Sequence, residues 1–420
     1  MRILFLSALD FKQKSIQVIR KTPEAYALRG WQVKCIVGRD TGAQGDYSYE
    51  PTITPAGVDV ERFDWPLRRL RDHSRGVVHK LWLKLATLAV TLMLARRGLR
   101  EIRRNGACDI VYGYEMHGTL AAALVRGALR LSRRRGRTQF VSRFQGTKLS
   151  EAARCGNWLK LLANADFLAA YWLPFDACIM TNDGTQGRRL LKWVRTRNRN
   201  VLYYVNGTDF PNPDHARQPD WQTMGIAPRD IVLLSVSRLV GWKRLDRSLR
   251  AVVRILKTAP SVEQRQSIRL VVAGEGSFRP HYEALANDLG LGGHVVFVGA
   301  VKHQELTAYY ERANAFFSFY DLSNVGNPLL EAVRHHKTIF TIRGGDTHQW
   351  IHHRENGLIF EADDQLLPDR VATAFWELQA SPELQERIAR GVRQLEQRKL
   401  WTWHERMNAE VDAVEALRAA

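Results

Sequence analysis

Two cations five residues apart, Arg238 and Lys243, stand in the segment Ser237-Arg238-Leu239-Val240-Gly241-Trp242-Lys243, after an apolar run and before an amphipathic one. At the end of a strand such a pair can clamp a diphosphate, because each cation forms charge-assisted bonds to phosphate oxygens. The other reading is a solvated helix start, and the spacing leaves both open. In Ala273-Gly274-Glu275-Gly276-Ser277, two glycines let backbone approach a ligand closely ahead of a helix, although a lone G-x-G is common in α/β turns. The segment Asp321-Leu322-Ser323-Asn324-Val325-Gly326-Asn327-Pro328-Leu329-Leu330-Glu331 is the sharpest. Asn327 is expected to cap the next helix with Pro328 in its first position, so that N–H groups near Asn327 and Leu329 point at an anion. Glu331, expected in the first turn, can accept from a ribose diol or simply interact favourably with the helix dipole.

Such residues need strands that end at one edge, and the chain supplies them. Short apolar runs alternate with amphipathic segments throughout, which predicts an α/β fold of parallel sheets covered by helices. In the first half, strands are expected at Arg2 to Ser7, Gln32 to Val37, Ile110 to Gly113, Gln139 to Ser142 and Ala177 to Met180, with helices near 14–29, 77–104, 117–134 and 185–195. In the second half they are expected at Ile231 to Val236, Arg269 to Ala273, Val295 to Val298, Ala315 to Phe319 and Thr338 to Ile342, with helices near 245–257, 279–289, 303–313 and 328–336. The tail from about 365 is helical, and Trp401 and Trp403 suggest that its last helix packs on something apolar. The polar, turn-rich segment Asn206 to Gln222, with Pro211, Pro213 and Pro219, separates two self-contained patterns. A chain of 420 residues exceeds what one core fills, so the expected division is 1–205, 206–400 and a final helix, 401–420, packing back on the first domain.

The formal net charge of +19 is unevenly spread. Residues 1–200 hold 36 Lys and Arg against 16 Asp and Glu, whereas 201–420 hold 26 against 27. Clusters at Arg68-Arg69-Leu70-Arg71, Arg96-Arg97, Arg103-Arg104 and Arg133 to Arg137 can face anionic lipid, a phosphorylated acceptor or nucleic acid, or form a merely soluble surface. No recognition motif or aromatic-basic stacking set accompanies them, so nucleic acid is not the expected partner. Cys35, Cys108, Cys155 and Cys178 form no C-x-x-C pair, which suits a reducing compartment. The opening MRILFLSALDF reads as a first strand and not a signal peptide. Leu85 to Ala95, 11 residues between Lys84 and Arg96, is too short to span a bilayer and reads as a buried or interfacial helix. The expected location is cytoplasmic, at the inner face of a membrane.

Taken in order, these motifs resemble the C-terminal domain of the large family-four class of retaining glycosyltransferases, the glycosyl transferases group 1. Asn206-Gly207-Thr208-Asp209 is similar to that family's N-G-x-D, and Arg238 with Lys243 to its R-x4-K. Gly274-Glu275-Gly276, Gly299, Leu306 to Tyr310, Gly326-Asn327-Pro328, Glu331-Ala332, Gly344-Gly345 and Asn356-Gly357-Leu358 follow in family order. In the first half, Tyr112 to His117 and Phe144-Gln145-Gly146-Thr147 echo the pattern weakly.

The resemblance implies a GT-B fold, two Rossmann-like domains facing across a central cleft. It implies that Arg238 and Lys243 hold the diphosphate of a nucleotide-sugar donor and Glu331 its ribose. Gly274, Gly276, Lys302, Ser323, Asn324, Val325, Gly326, Asn327 and Leu329 would complete the donor side, and Tyr114, Glu115, His117 and Gln145 the acceptor side. The chain departs from the family in four places. Ser323 replaces the first glutamate of E-x7-E, Tyr114 a common histidine, His348 an acidic residue, and the glycine-rich loop after the first strand is missing.

No protein nucleophile is evident, so front-face displacement is the expected chemistry, with transition-state charge met by Arg238, Lys243 and the helix start at Pro328. No D-x-D occurs, so neither metal nor cofactor is expected. The acceptor side points to a glycan or lipid-linked acceptor, with peripheral contact on anionic membrane. A GT-B epimerase or phosphorylase, or a catalytically silent nucleotide-sugar-binding subunit, are the alternatives.

Overall fold

The computed structural model describes residues 1–11, 16–39, 52–66, 76–132, 138–210, 218–322 and 324–419. Ser323, Pro211, Pro213 and the basic clusters at 68–71 and 133–137 lie outside the described residues. The chain divides into two units: Met1–Asn182, Gln186–Asn206 and Trp403–Ala420 form the first, Asp183–Thr185 and Gly207–Thr402 the second.

The first unit runs β1 (Arg2–Ser7), α1 (Ile16–Leu28), β2 (Gln32–Gly38), β3 (Val58–Phe63), α2 (Gly76–Asn105), β4 (Ile110–Tyr114), α3 (Glu115–Leu131) and β5 (Gln139–Phe144). It continues through α4 (Ser150–Arg154), α5 (Trp158–Leu162), α6 (Ala165–Trp172), β6 (Ala177–Thr181), α7 (Gly187–Trp193) and β7 (Val201–Tyr204). The strands pair in the order β3-β2-β1-β4-β5-β6-β7, all parallel. Central strands such as ILFLS in β1 and IVYGY in β4 are apolar on both faces because helices cover both. Separate clusters form on the two sides, around Tyr26 and Tyr112 on one and Leu94 and Val125 on the other.

The second unit runs β8 (Ile231–Val236), α8 (Leu245–Lys257), α9 (Val262–Gln266), β9 (Ile268–Ala273), α10 (Arg279–Asp288), β10 (Val295–Gly299), α11 (Leu306–Arg312) and β11 (Ala315–Ser318). After it come α12 (Asn327–Arg334), β12 (Thr338–Ile342), β13 (Leu358–Phe360), α13 (Leu367–Ala380) and α14 (Pro382–Lys399). Its parallel sheet has the order β10-β9-β8-β11-β12-β13, the doubly wound arrangement in which the order reverses between the first and fourth strands.

The last helix, α15 (Trp403–Ala419), belongs to the first unit. Trp403, Met407, Val411 and Val414 recur at helical spacing and enter the cluster around Tyr26, each such burial contributing about 1.5–3 kcal/mol. The same helix brings Glu410 to the fully buried Arg143 of β5, with which it forms an ion pair. Tyr112 Oη donates to Glu410 Oε1 at 2.6 Å, and Arg406 Nη2 lies 2.8 Å from Oε2. Arg406 Nε donates to Val205 O at 3.1 Å.

Burial alone would raise the Glu410 carboxyl, but Arg143 and Arg406 outweigh it and hold it below its ordinary value. A lowered folded pKa contributes stability that is present above the unfolded value of about 4.5 and is lost as pH falls through the folded one. Glu410→Ala strands two buried guanidiniums, so urea denaturation at neutral pH should show a loss of about 3–5 kcal/mol. A loss within the scatter of a surface substitution would mean that the cluster holds nothing together.

Candidate functional site

In the second unit the strand order reverses between β8 and β11, so the turns that follow these two strands flank a crevice at the carboxyl edge. Arg238 lies on the first turn. That turn is zipped to the one after β9: Ser237 N donates to Ala273 O at 3.0 Å, Leu239 N to Glu275 O at 2.9 Å, and Phe278 N to Leu239 O at 2.9 Å. Gly274 and Gly276 permit this approach. A Cβ on Gly274 would lie 1.8 Å from Ser237 O, and one on Gly276 2.4 Å from Leu239 O. Both glycines thus bring the Arg238 turn against its neighbour.

Trp242 lies between the two cations in the sequence, and both approach its ring. The Arg238 guanidinium sits 6.0 Å from its ring centre, Lys243 Nζ 4.5 Å from the same centre and 3.7 Å from that of Tyr320, which follows β11. Tyr320 Oη donates to Val236 O at 2.9 Å, which fixes the ring. Among the described residues Lys243 has no carboxylate within ion-pair distance. Burial, then the charge of Arg238, pulls its amine down to about 7, with Asp183 opposing. The two cations thus share one tryptophan, an arrangement to which an anion can add charge-assisted bonds.

The turn after β11 is fixed from several sides. Asp321 Oδ1 meets Arg247 Nη1 at 2.8 Å and Arg244 Nη1 at 3.4 Å. Asn324 is buried, and its side chain bonds the Tyr320 backbone, accepting from N at 3.1 Å and donating to O at 2.7 Å. Its amide is therefore engaged within the turn. Val325 N donates to Asp183 O at 3.2 Å.

Two expectations are corrected at α12. Gly326, in extended backbone, is the N-cap, so Asn327 and Pro328 are the first two helical residues. Leu329 N already donates to Gly326 O at 3.1 Å. Among the described residues the Gly326 N–H makes no hydrogen bond and is the donor available at this terminus. Glu331 consequently falls beyond the first turn, where the helix dipole acts weakly.

Glu331 is buried beside a different set of partners. Tyr310 Oη lies 3.0 Å from both its Oε2 and Pro328 O, and His303 Nδ1 3.6 Å from its Oε1. Tyr310 stacks on His335, ring centres 5.0 Å apart. Burial drops the His335 imidazole to about 4, so it is neutral at neutral pH. These groups, with Thr208, Asp209 and Phe210, line a cavity of about 170 Å³. A carboxylate anchored through one oxygen in a small cavity can accept from a vicinal diol with the other. Lys302 is exposed just ahead of the turn carrying His303.

In the first unit the reversal lies between β1 and β4, and the expected acceptor residues collect there. Tyr114 ends β4. Glu115 starts α3 with φ of +57°, a strained conformation for a non-glycine residue, and its Oε1 accepts from Gln145 N at 2.9 Å. His117 packs edge-on against Trp65, ring centres 5.3 Å apart. Among the described residues no group of three or more His, Cys, Asp or Glu is arranged to hold a metal.

Sequence reasoning missed Trp242, Tyr320, Tyr310, His303 and Asp183. Trp242 carried a signal in its place between the two cations. Asp183 carried none, since only folding brings it near residue 325.

Residues 218–395 match the family model described as glycosyl transferases group 1. A GDP-mannose-dependent alpha-(1-6)-phosphatidylinositol monomannoside mannosyltransferase of Mycolicibacterium smegmatis is 27% identical over 179 residues, 41% of this chain and 44% of that protein. The match thus spans less than half the length of that relative. Among solved structures, a sucrose-phosphate synthase from Thermosynechococcus elongatus superposes with a TM-score of 0.72 at 16% identity, covering 100% of both chains. The Anabaena protein Alr3699/HepE, solved in complex with UDP, superposes at 0.65 with 15% identity over 99% of this chain and 100% of its own.

The Lys243 amine gives the site a pH signature. Its protonated form meets an anion and its neutral form does not, so affinity for a diphosphate diester, whose own charge is constant near neutrality, should fall as pH rises through about 7. The fall should approach roughly tenfold per pH unit above that value, with proton uptake on binding. Calorimetry in buffers of different ionisation enthalpy measures both. Lys243→Arg, charged throughout this range, should flatten the profile.

Proposed function

Because the chain belongs to the glycosyl transferases group 1 family and has the GT-B fold, we propose that it moves a sugar from a nucleotide-diphosphate sugar to an acceptor, with retention of anomeric configuration and without a metal. The observation that carries this reading is the Arg238–Lys243 pair, two like charges gathered on one tryptophan at the crevice of a doubly wound sheet. The departing diphosphate would lie against this pair and the Gly326 N–H. Glu331, oriented by Tyr310, would accept from the ribose diol.

In the proposed step the bond between the anomeric carbon and the diphosphate oxygen breaks. The acceptor oxygen bonds to the same face of that carbon, and its proton passes to an oxygen of the leaving diphosphate. The two cations meet charge that grows as the bond breaks, so they stabilise the transition state more than the bound donor. Tyr114, Glu115, His117 and Gln145 are proposed on the acceptor side. A glycan or lipid-linked acceptor met at the inner face of a membrane is supported by the basic first half and by the lipid acceptor in the name of the mycobacterial relative.

Thermal shift with a panel of nucleotide sugars identifies the donor, since a ligand at about 100 times its dissociation constant adds roughly 2.7 kcal/mol. With that donor, Arg238→Ala and Lys243→Ala should each lower kcat by about a hundredfold and weaken donor binding. Lys243→Arg should restore activity only in part. Full turnover and donor binding in both alanine variants would reduce the pair to a solvated helix start. Donor conversion without acceptor would indicate an epimerase or phosphorylase, and binding without turnover a silent subunit.

A further inference from the structure

Helix α2 is apolar on two opposite faces. Ala86, Val90 and Leu94 are buried in the cluster on one side of the first unit's sheet or beside it. Leu81, Leu85, Leu88 and Leu92 recur on the other face at intervals of four, three and four residues, and each is between 40% and 58% exposed. Close by, the five-residue helix α5 holds out Trp158, Leu159 and Leu162, which are 64%, 83% and 70% exposed. Leu88 and Leu162 also line one groove of about 490 Å³, with Leu120, Ala163 and the Lys84–Asp166 ion pair. The leucine face, the groove and the tip of α5 are therefore one continuous apolar surface. A contiguous exposed surface of this kind marks an interaction site.

Its surroundings are cationic. Residues 76–95 of α2 contain no Asp or Glu, and Arg96, Arg97 and Arg100 follow them. Lys160 lies within α5, and Trp158 packs on Trp193, 6.0 Å between ring centres, at the end of α7 with its exposed Arg188, Arg189 and Lys192. A second copy of the chain would fit the leucine spacing as a helix pair. Pairing α2 with itself, however, sets the exposed Arg96 and Arg100 against like charges, with no acid in that helix before Glu101. An anionic bilayer satisfies both features: leucines and tryptophan enter the acyl boundary while lysines and arginines remain among headgroups. Among the described residues no helix is long and apolar enough to cross a membrane, so the surface would lie on the bilayer.

We propose that the exposed leucine face of α2, with α5 and the groove between them, seats the protein in the interface of an anionic membrane. The inference rests on the lipid-linked reading of the acceptor for its purpose, but its test does not. Vesicle flotation, without donor or acceptor, compares phosphatidylcholine alone with phosphatidylcholine mixed with phosphatidylglycerol. Binding is expected only to the anionic vesicles, and it should weaken with salt.

Leu159→Asp and Leu88→Asp should each lower that binding by about tenfold or more. Leu28→Asp, equally exposed but on α1 across the sheet, should leave it unchanged. Circular dichroism and donor-induced thermal shift verify that the variants fold. Equal binding to neutral vesicles, no binding, or binding that survives both substitutions overturns the proposal. So does a dimer in sedimentation equilibrium that Leu88→Asp dissociates, which would assign the face to a second copy. Sugar transfer to a soluble acceptor is read separately, so failure there would sink the transferase reading and leave this one standing.

Discussion

A parallel sheet forces every turn that follows a strand to one edge, and much else here is a consequence of that constraint. Where the strand order reverses, the two flanking turns diverge and leave a crevice. In the second unit the reversal lies between β8 and β11, so Arg238, Trp242 and Lys243 on one side and Tyr320 on the other occupy its walls. In the first unit it lies between β1 and β4, where Tyr114 ends a strand and Glu115 takes a left-handed conformation to start a helix. Two sheets with unrelated sequences thus gather their unusual residues at equivalent positions, because topology offers no better place for backbone groups and side chains to converge.

Convergence has an electrostatic cost in the second unit. Bringing Lys243 out of water and next to Arg238 disfavours its charged form, as its lowered pKa records. Cation–π contacts with Trp242 and Tyr320 return on the order of 0.5–2 kcal/mol each, and Asp183 adds a weaker attraction. They do not restore the ordinary pKa, so an anion in the crevice would receive a charge that is already desolvated and already aimed. This is preorganisation in its plain sense: the reorganisation is complete before a ligand arrives. In the carboxylate lobe Tyr310 donates to one oxygen of Glu331 and His303 Nδ1 lies 3.6 Å from the other, at the wall of a small cavity.

How much of this was legible in the sequence depended on burial. Arg2–Ser7, Ile231–Val236 and Thr338–Ile342 are strands with the limits their apolar runs suggest, since strands covered on both faces must be apolar throughout. The strands with no sequence expectation, β3, β7 and β13, all lie at sheet edges. In β3 the alternation VDVERF reflects one wet face, with Asp59 and Glu61 paired to Lys34 and Arg97. Helices α4, α5, α6 and α9 are too short to display a helical period. Within the site, local order was readable and long-range order was not. The cation pair and its tryptophan are neighbours in sequence. The anchoring of Asp321 by Arg247, and of Val325 by Asp183, spans long stretches of chain. The start of α12 was displaced by one residue because Gly326 accepts the extended backbone of an N-cap, although its side chain cannot cap.

The two halves use positive charge in physically different ways, which bears on the segregation of charge along the chain. In the second unit the important cations are few, partly enclosed, and offset elsewhere by acids, so that its total is nearly balanced. Charges held in a low-dielectric crevice are little screened by salt. In the first unit several cations, among them Arg96, Arg100, Arg188, Arg189 and Lys192, stand on exposed helix faces, where each charge is screened within about 8 Å at physiological ionic strength. A screened, diffuse surface recognises an extended anion well and a single small one poorly. An enclosed pair does the reverse. The uneven sequence balance is therefore what one chain needs if it must meet a compact diphosphate with one half and a broad anionic surface with the other.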